Sequence, residues 1–463
     1  MKIPNNIYFV GAGGIGMANL VRYFLSKGCR VAGYDRTSTP LTDALHAEGA
    51  EIVFADDPAL IPADMMEPDS TLVVYTPAVG DDNRILSTFR SLGFKPVKRA
   101  AVLGMITASS EGICVAGSHG KTTTSSMIAW ILEQTPGGCN AFLGGILRNT
   151  GSNLMLSRGS DFSVIEADEY DRSFHHLRPW IAVVTSTDPD HLDIYGDEEG
   201  YLEGFAHFTS LIRKDGVLIM HTGLKLKPRT QEGVKTMTYS GYASDIRGDW
   251  YADNVRWGDG RLTYDIHGPG VSIADVSLGV PVEINIDNSV AAAAAAWYAG
   301  APVEDIRHGL ETFMGAERRF QIWLDGKQES GTVLIDDYAH SPEEVRASIR
   351  SVKRLYPGKE LAVIFQPHLY TRTRDFAADF ADALSGADRL VMTEIYPARE
   401  KPIAGVCSEM VLKYVTCKNK IYCERKNLLN YIKNSNFEVI MTLGAADLNV
   451  MLPEIRHILT SKR

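Results

Sequence analysis

Short apolar runs that stop at glycines and restart as amphipathic helices recur along this chain. Ile7 to Val10 leads into Gly11, Ala12, Gly13, Gly14, Ile15 and Gly16, and MANLVRYFLSKG then carries its apolar residues on one helical face. Arg30 to Tyr34 predicts a second strand, ending at Asp35, and TLVVYTPAV with the return through FKPVKRAAVLG continues the alternation. The pattern restarts at Gly112, Ile113 and Cys114, which run into VAGSHGKTTT and the helix-like SSMIAWIL. Further strands are expected in DFSVIEADEYD and WIAVVTST, antiparallel hairpins from Lys225 to about Gly279, and an alanine-rich helix from Val290. TVLIDDYAHSPEEV, ELAVIFQPH, VMTEIYPARE and MTLGAAD predict a last set of strands with helices between them. Such alternation predicts an α/β protein built on open parallel sheets.

At 463 residues the chain exceeds what one hydrophobic core organises. The pattern divides it into a Rossmann-like domain at 1–105, a central phosphate-loop ATPase-type α/β domain at 106–321 and a second Rossmann-like α/β domain at 322–463. A hydrophobic share of 45% with 22% charged residues indicates a globular protein. The net charge of -10 argues against nucleic acid as the main partner. The six cysteines form no CxxC pair and read as reduced thiols. No stretch approaches the ~18 apolar residues a membrane span needs, and MKIPNNIYFV is too short an apolar run for a signal peptide. The expectation is a cytoplasmic protein with no membrane partner, as a monomer or a homodimer.

The candidate chemistry lies where predicted strands end. In VAGSHGKTTT a buried strand breaks at Gly117 and Gly120 and re-forms as a helix, which aims backbone N–H groups and the helix's positive end at one point. With Ser118, His119 and Thr123 in the same loop, this suits a polyphosphate. Lys121 supplies a charge for the terminal phosphates and Thr122 a hydroxyl for Mg2+, although Val115 stands where the full motif has its first glycine. The expected ligand is ATP. Glu166, Asp168, Glu169 and Asp171 follow another strand, where magnesium, or manganese in its place, finds carboxylates. His191, in the acid-rich loop DPDHLD, reads as a metal ligand or as a structural histidine. GAGGIG with Asp35 fits an NAD fingerprint, a packing device without ligand, or a loop for another diphosphate such as a UDP-sugar. Asn285 and Asn288, three apart at a helix start, read as helix caps or as amides for an adenine edge. Arginines at strand ends, among them Arg319, Arg372 and Arg374, suit carboxylates or phosphates.

Through GAGGIGM, GSHGKTTT, EADEYDRSF, DPDHLDIYG, ERRFQ, DDYAHSPEE, FQPHLYTRTR and EIYPAREKPI, the chain resembles the Mur ligases of peptidoglycan synthesis nearly end to end. The resemblance implies three domains that close on each other. It also implies an ATP-dependent ligase that joins L-alanine to UDP-N-acetylmuramate through an acyl phosphate. A ligase adding a whole L-Ala-D-Glu-diaminopimelate tripeptide to the same nucleotide is the second reading, and an NAD-dependent dehydrogenase a third, of another class. By the same resemblance Gly11, Gly13, Gly14, Ile15, Gly16, Asp35 and Thr76 hold the UDP-sugar, and Lys121 binds the β and γ phosphates. Thr122, Glu166 and His191 surround magnesium, and Asn285, Asn288, Arg319 and Asp337 take adenine, phosphate and ribose. Tyr338, His340, His368, Arg372 and Arg374 receive the alanine.

Three positions depart from the family pattern: Ile284 in place of a histidine, Leu369 in place of an arginine, and Ala446 in place of a glycine. No lysine lies between His191 and Arg213, where later Mur ligases carry a carbamoylated one, which agrees with the alanine-adding step.

Overall fold

The computed structural model describes residues 4–242, 244–258, 260–398 and 400–461. The chain forms two compact units, one of Met1–Ile146, Ser152–Tyr239 and Ala291–Ile306, the other of Leu147–Gly151, Ser240–Val290 and Arg307–Arg463.

The first unit holds two sheets. The N-terminal one runs Glu51–Val53, Arg30–Tyr34, Asn6–Val10, Thr71–Tyr75, Val97–Lys98, parallel throughout. The order reverses beside Asn6–Val10, so a crevice opens at its carboxyl end, where the Gly11–Gly16 loop lies. The helix Ile15–Ser26 follows and buries Met17, Leu20, Val21 and Phe24, the face its periodicity predicts. The helix Arg99–Ala108 is continuous through residues 105 and 106.

In the second sheet the order is Lys235–Ser240, Val217–His221, Ile181–Val184, Glu111–Ala116, Phe162–Glu166, Asn140–Leu147, Ser152–Met155. It is parallel from Lys235–Ser240 through Asn140–Leu147. Ile113, Cys114, Val115 and Ala116 have no exposure at all, as a strand covered on both faces requires. Strand order reverses at Glu111–Ala116 as well, and the phosphate loop begins where that strand ends.

The second unit contains three antiparallel strands, Trp250–Gly258, Arg261–Gly268 and Val271–Ser277. They match the expected hairpins; Lys235–Ser240, in the same stretch of sequence, also pairs parallel to Val217–His221. The last sheet runs Gln321–Asp325, Val333–Asp337, Val439–Leu443, Leu361–Phe365, Arg389–Met392, Asn419–Tyr422. Only the Gln321–Asp325 edge is antiparallel. Among the described residues no helix is long and apolar enough to cross a membrane.

Candidate active site

The phosphate loop is built by two glycines in the left-handed half of backbone space. Gly117 has φ +146° and Gly120 φ +83°, and a Cβ on Gly117 would lie 2.1 Å from the Thr185 hydroxyl. Gly120 caps the helix Lys121–Glu133 without a side-chain acceptor, so the first amides of the helix remain open to an anion. Ser118 Oγ donates to the Asp188 carbonyl, the His119 amide to Ser186 Oγ at 2.7 Å, and Thr123 continues the first helical turn. Lys121 folds back across the loop. Its Nζ donates to the Gly117 carbonyl and to Glu169 Oε1 at 2.8 Å, and Glu169 is only 2% exposed.

Glu166 ends its strand beside this loop. It is bonded to the Thr122 hydroxyl, and the Gly144 amide donates to its Oε2 at 2.9 Å. Burial raises the Glu166 pKa; the Thr122 bond, the Lys121 charge and the Gly144 amide oppose the rise, and Asp168 adds to it. A Cβ on Gly144 would come within 2.2 Å of Glu166 Oε2, so glycine is what lets the carboxylate sit there. Thr122 and Glu166 present hard oxygens, the donors magnesium takes together with water and phosphate oxygens. Among the described residues no group of three or more His, Cys, Asp or Glu side chains is arranged to hold a metal. Magnesium in a phosphate site does not need one, so the donor set fits the ion. His191 is partly exposed at φ +52°, its ring edge-on to Tyr170 at 5.2 Å and 3.7 Å from the Asp190 carboxylate.

In the N-terminal loop Gly11 has φ +89°, and a Cβ there would meet Thr76. Gly14 caps the helix that begins at Ile15. Asp35 Oδ2 accepts the Gly13 amide at 2.7 Å, so the acid expected at a ribose also holds the loop's shape. A cavity of about 250 Å3 in this unit is lined by Ile15, Gly16, Asn19, Arg99, Glu166 and Asp168, among others. It brings the glycine loop and the Glu166 carboxylate to one space. Arg99 was not singled out from sequence; its place at the start of the helix in KRAAVLG was the available signal.

In the second unit Asn285 and Asn288 are both buried, and their amides bond each other, Asn288 Nδ2 to Asn285 Oδ1 at 3.0 Å. Asn285 Nδ2 donates to the Val280 carbonyl. Ile284 stands exposed at the start of the same helix. Asp337, at the end of its strand, accepts from the Phe320 amide and from Ser348; burial raises its pKa and the Arg319 charge counters it. The Arg319 guanidinium lies 5.3 Å from the Tyr338 ring centre. His340 packs edge-on to Tyr338 and has Nδ1 3.2 Å from Glu344. Burial lowers the His340 pKa against the pull of Glu344, and Arg372 and Arg319 lower it further. His368 behaves alike, lowered by burial and then by Arg372 and His340, with its ring parallel to Tyr396.

Arg319, Asp337, Tyr338, His340, His368 and Arg372 thus form one connected electrostatic cluster. Arg374 pairs with its neighbour Asp375 at the surface instead, because the short helix Tyr370–Asp375 turns it outward while Arg372 stays near the histidines. Arg399, in the EIYPAREKPI motif, lies outside the described residues.

Parallel sheets with a phosphate loop at a switch point of one and an arginine and histidine cluster at the strand ends of another define a multidomain nucleotide-dependent α/β enzyme. Family models match at residues 6–111 (Mur ligase family, catalytic domain), 115–296 (Mur ligase middle domain) and 318–444 (Mur ligase, glutamate ligase domain). The chain belongs to the Mur ligase family. It is 55% identical over 453 residues to the UDP-N-acetylmuramate–L-alanine ligase of Parabacteroides distasonis, covering 98% of this chain and 97% of that one. With the enzyme of the same name from Phocaeicola vulgatus it shares 49% over 458 residues, 99% and 98% of the two chains. The crystal structure of UDP-N-acetylmuramate-alanine ligase from Thermotoga maritima superposes with TM-score 0.74 at 26% identity, covering 99% and 100%. A murein peptide ligase from Psychrobacter arcticus, at TM-score 0.58, 21% identity and 99% of both chains, shares the fold.

Proposed function

We propose that this chain joins L-alanine to UDP-N-acetylmuramate at the expense of ATP, forming an amide through an acyl phosphate. The observation that carries the reading is the end-to-end identity with alanine-adding ligases, 55% over 453 residues. The dehydrogenase reading leaves the Gly117–Thr122 loop and Glu166 without a task. The murein peptide ligase resembles this chain at 21% identity, which speaks to fold alone.

In the proposed reaction the muramyl carboxylate attacks the γ phosphorus of ATP, ADP leaves, and the alanine amine then displaces phosphate from the acyl carbon. Two anions meet in the first step, so cationic groups must neutralise charge. Lys121 and the open amides of its helix are assigned to the phosphates, and Arg319 and Asp337 to phosphate and ribose. Thr122 and Glu166, with His191, would hold magnesium, which supplies further charge neutralisation when bound. Gly11, Gly13, Gly14, Ile15, Gly16, Asp35 and Thr76 are assigned to the UDP-sugar, with Arg99 toward the muramyl group. Arg372 receives the alanine carboxylate, and His340 and His368, whose pKa values are lowered, stay neutral near the amine. We further place domain boundaries near 105 and 321, and assign the protein to the cytoplasm as a monomer or homodimer. Phosphate release with UDP-N-acetylmuramate, ATP and each amino acid or tripeptide in turn tests the function; the expected result is release with L-alanine, and release only with the tripeptide overturns it.

A further inference from the structure

The cavity of about 250 Å3 beside the glycine loop holds a polar side chain to which the proposed reaction assigns no task. Asn19 lies in the helix Ile15–Ser26, three residues after Gly16 and so on the same face, and both line the cavity. It is 5% exposed, and among the described residues no hydrogen bond reaches its side-chain amide. Neither of its polar atoms is sealed off, so a molecule in the cavity can reach them. Asn153, the other amide of the lining, instead donates to the Leu143 carbonyl at 3.5 Å. A helix interior favours alanine over asparagine, and a buried amide without a partner is destabilising. Both penalties point to a ligand that completes the pairing.

The rest of the lining says which group that is. Arg99 lies against Gly16, where an added Cβ would come within 2.5 Å of its Nη1, and it is the cation of this space. Glu166 and Asp168 are the carboxyl groups, and Leu103, Phe142 and Leu143 form an apolar wall. In the proposed reaction the diphosphate lies at the Gly11–Gly16 loop and the reacting carboxylate near Thr122 and Glu166. The muramyl ring has to span the two, and Asn19 is set about 6 Å, one turn, behind the helix end that meets the diphosphate. Phosphate and carboxylate groups only accept hydrogen bonds, which suits Arg99. A carboxamide matches a group that donates and accepts side by side. The acetamido group of the ring does so, and it ends in a methyl that the apolar wall receives.

We propose that Asn19 is a specificity-determining residue that pairs with the acetamido group of the muramyl ring, whose methyl packs against Phe142 and Leu143. The proposal rests on the sugar-nucleotide reading of this cavity.

Initial rates of the full-length protein with UDP-N-acetylmuramate and with its N-deacetylated analogue, at saturating ATP and L-alanine, test it. The wild type should prefer the acetylated substrate in kcat/KM by at least about tenfold, the scale of one hydrogen bond. Asn19→Ala, a better helix former, should keep the melting temperature and lose that preference. Its KM for UDP-N-acetylmuramate should rise by about the same tenfold, while kcat, the KM for ATP and all constants for the deacetylated analogue stay within about twofold. Asn19→Leu, similar in size but without donor or acceptor, should do the same. A wild type without the preference, variants that retain it, or an equal loss on both substrates overturns the proposal and leaves the ligase reading standing. A wild type that turns over neither sugar nucleotide overturns that reading and this proposal with it.

Discussion

The Lys121 ammonium lies 2.7 Å from the Glu169 carboxylate, which is 2% exposed. The lysine assigned to the terminal phosphates is therefore held by a buried anion and by the carbonyl of Gly117, in its own loop. A charge kept in place by a fixed partner is pre-oriented for an incoming phosphate, and a buried carboxylate in turn depends on that charge.

Lys121→Ala should abolish phosphate release while UDP-N-acetylmuramate binding, measured by calorimetry, persists. It also strands Glu169 as an uncompensated buried charge, a change that typically costs roughly 3–5 kcal/mol. Adding Glu169→Gln should restore much of the lost melting temperature without restoring activity. A double variant no more stable than Lys121→Ala would mean that the pair is not coupled.

Gly144→Ala should raise the magnesium concentration needed for half-maximal rate and lower kcat. The new methyl occupies the place of the Glu166 carboxylate, 2.2 Å from Oε2, and Glu166 must move away from Thr122. Magnesium titrations of the initial rate check this. An unchanged requirement would remove Glu166 from the metal assignment.

Much of this was legible in the sequence, because a parallel strand covered on both faces reads as a continuous apolar run and the loop after it as glycines. The loops at Gly11 and Gly117 and the acid at Glu166 stand at strand ends for that reason. What stayed hidden depended on partners remote in sequence. Glu169 sits among four acids of one motif, and spacing alone does not tell the buried one from its solvated neighbours. Asn285 and Asn288 were legible as a pair, but that they bond each other was not. Arg372 and Arg374 look equivalent, and only the turn of a six-residue helix separates them.

Asp336, on the buried strand Val333–Asp337, gives the fold a pH signature. Burial raises its pKa to about 6, with Arg318 and the Thr442 bond lowering it and Asp337 raising it. Because the folded value exceeds the unfolded one, near 4, the folded state binds more protons between those limits. The contribution to stability is full below about pH 4 and lost as pH rises through 6, a change of roughly 3 kcal/mol at most. Asp336→Asn should flatten the stability profile between pH 4 and 6, read by urea unfolding at each pH. A profile as steep as that of the wild type would show that Asp336 is not the titrating group.

The proposed alanine site rests on Arg372. Leu369 occupies the position where the family pattern has an arginine, and it sits at φ +70°, so carboxylate recognition concentrates on fewer cations. Arg374 is drawn off by Asp375, and Arg372 remains beside His340 and His368. Loss of a charge-assisted bidentate contact costs a few kcal/mol, on the order of a hundredfold in kcat/KM. Arg372→Ala should lower kcat/KM for L-alanine by about that factor, whereas Arg374→Ala should change it less than threefold, roughly the scale of an exposed ion pair. The acyl phosphate step does not need the amine, and hydroxylamine in place of alanine traps its product as a hydroxamate. Arg372→Ala should form hydroxamate at the wild-type rate; if hydroxamate and alanine use fall together, Arg372 acts on the phosphate and the carboxylate assignment is wrong.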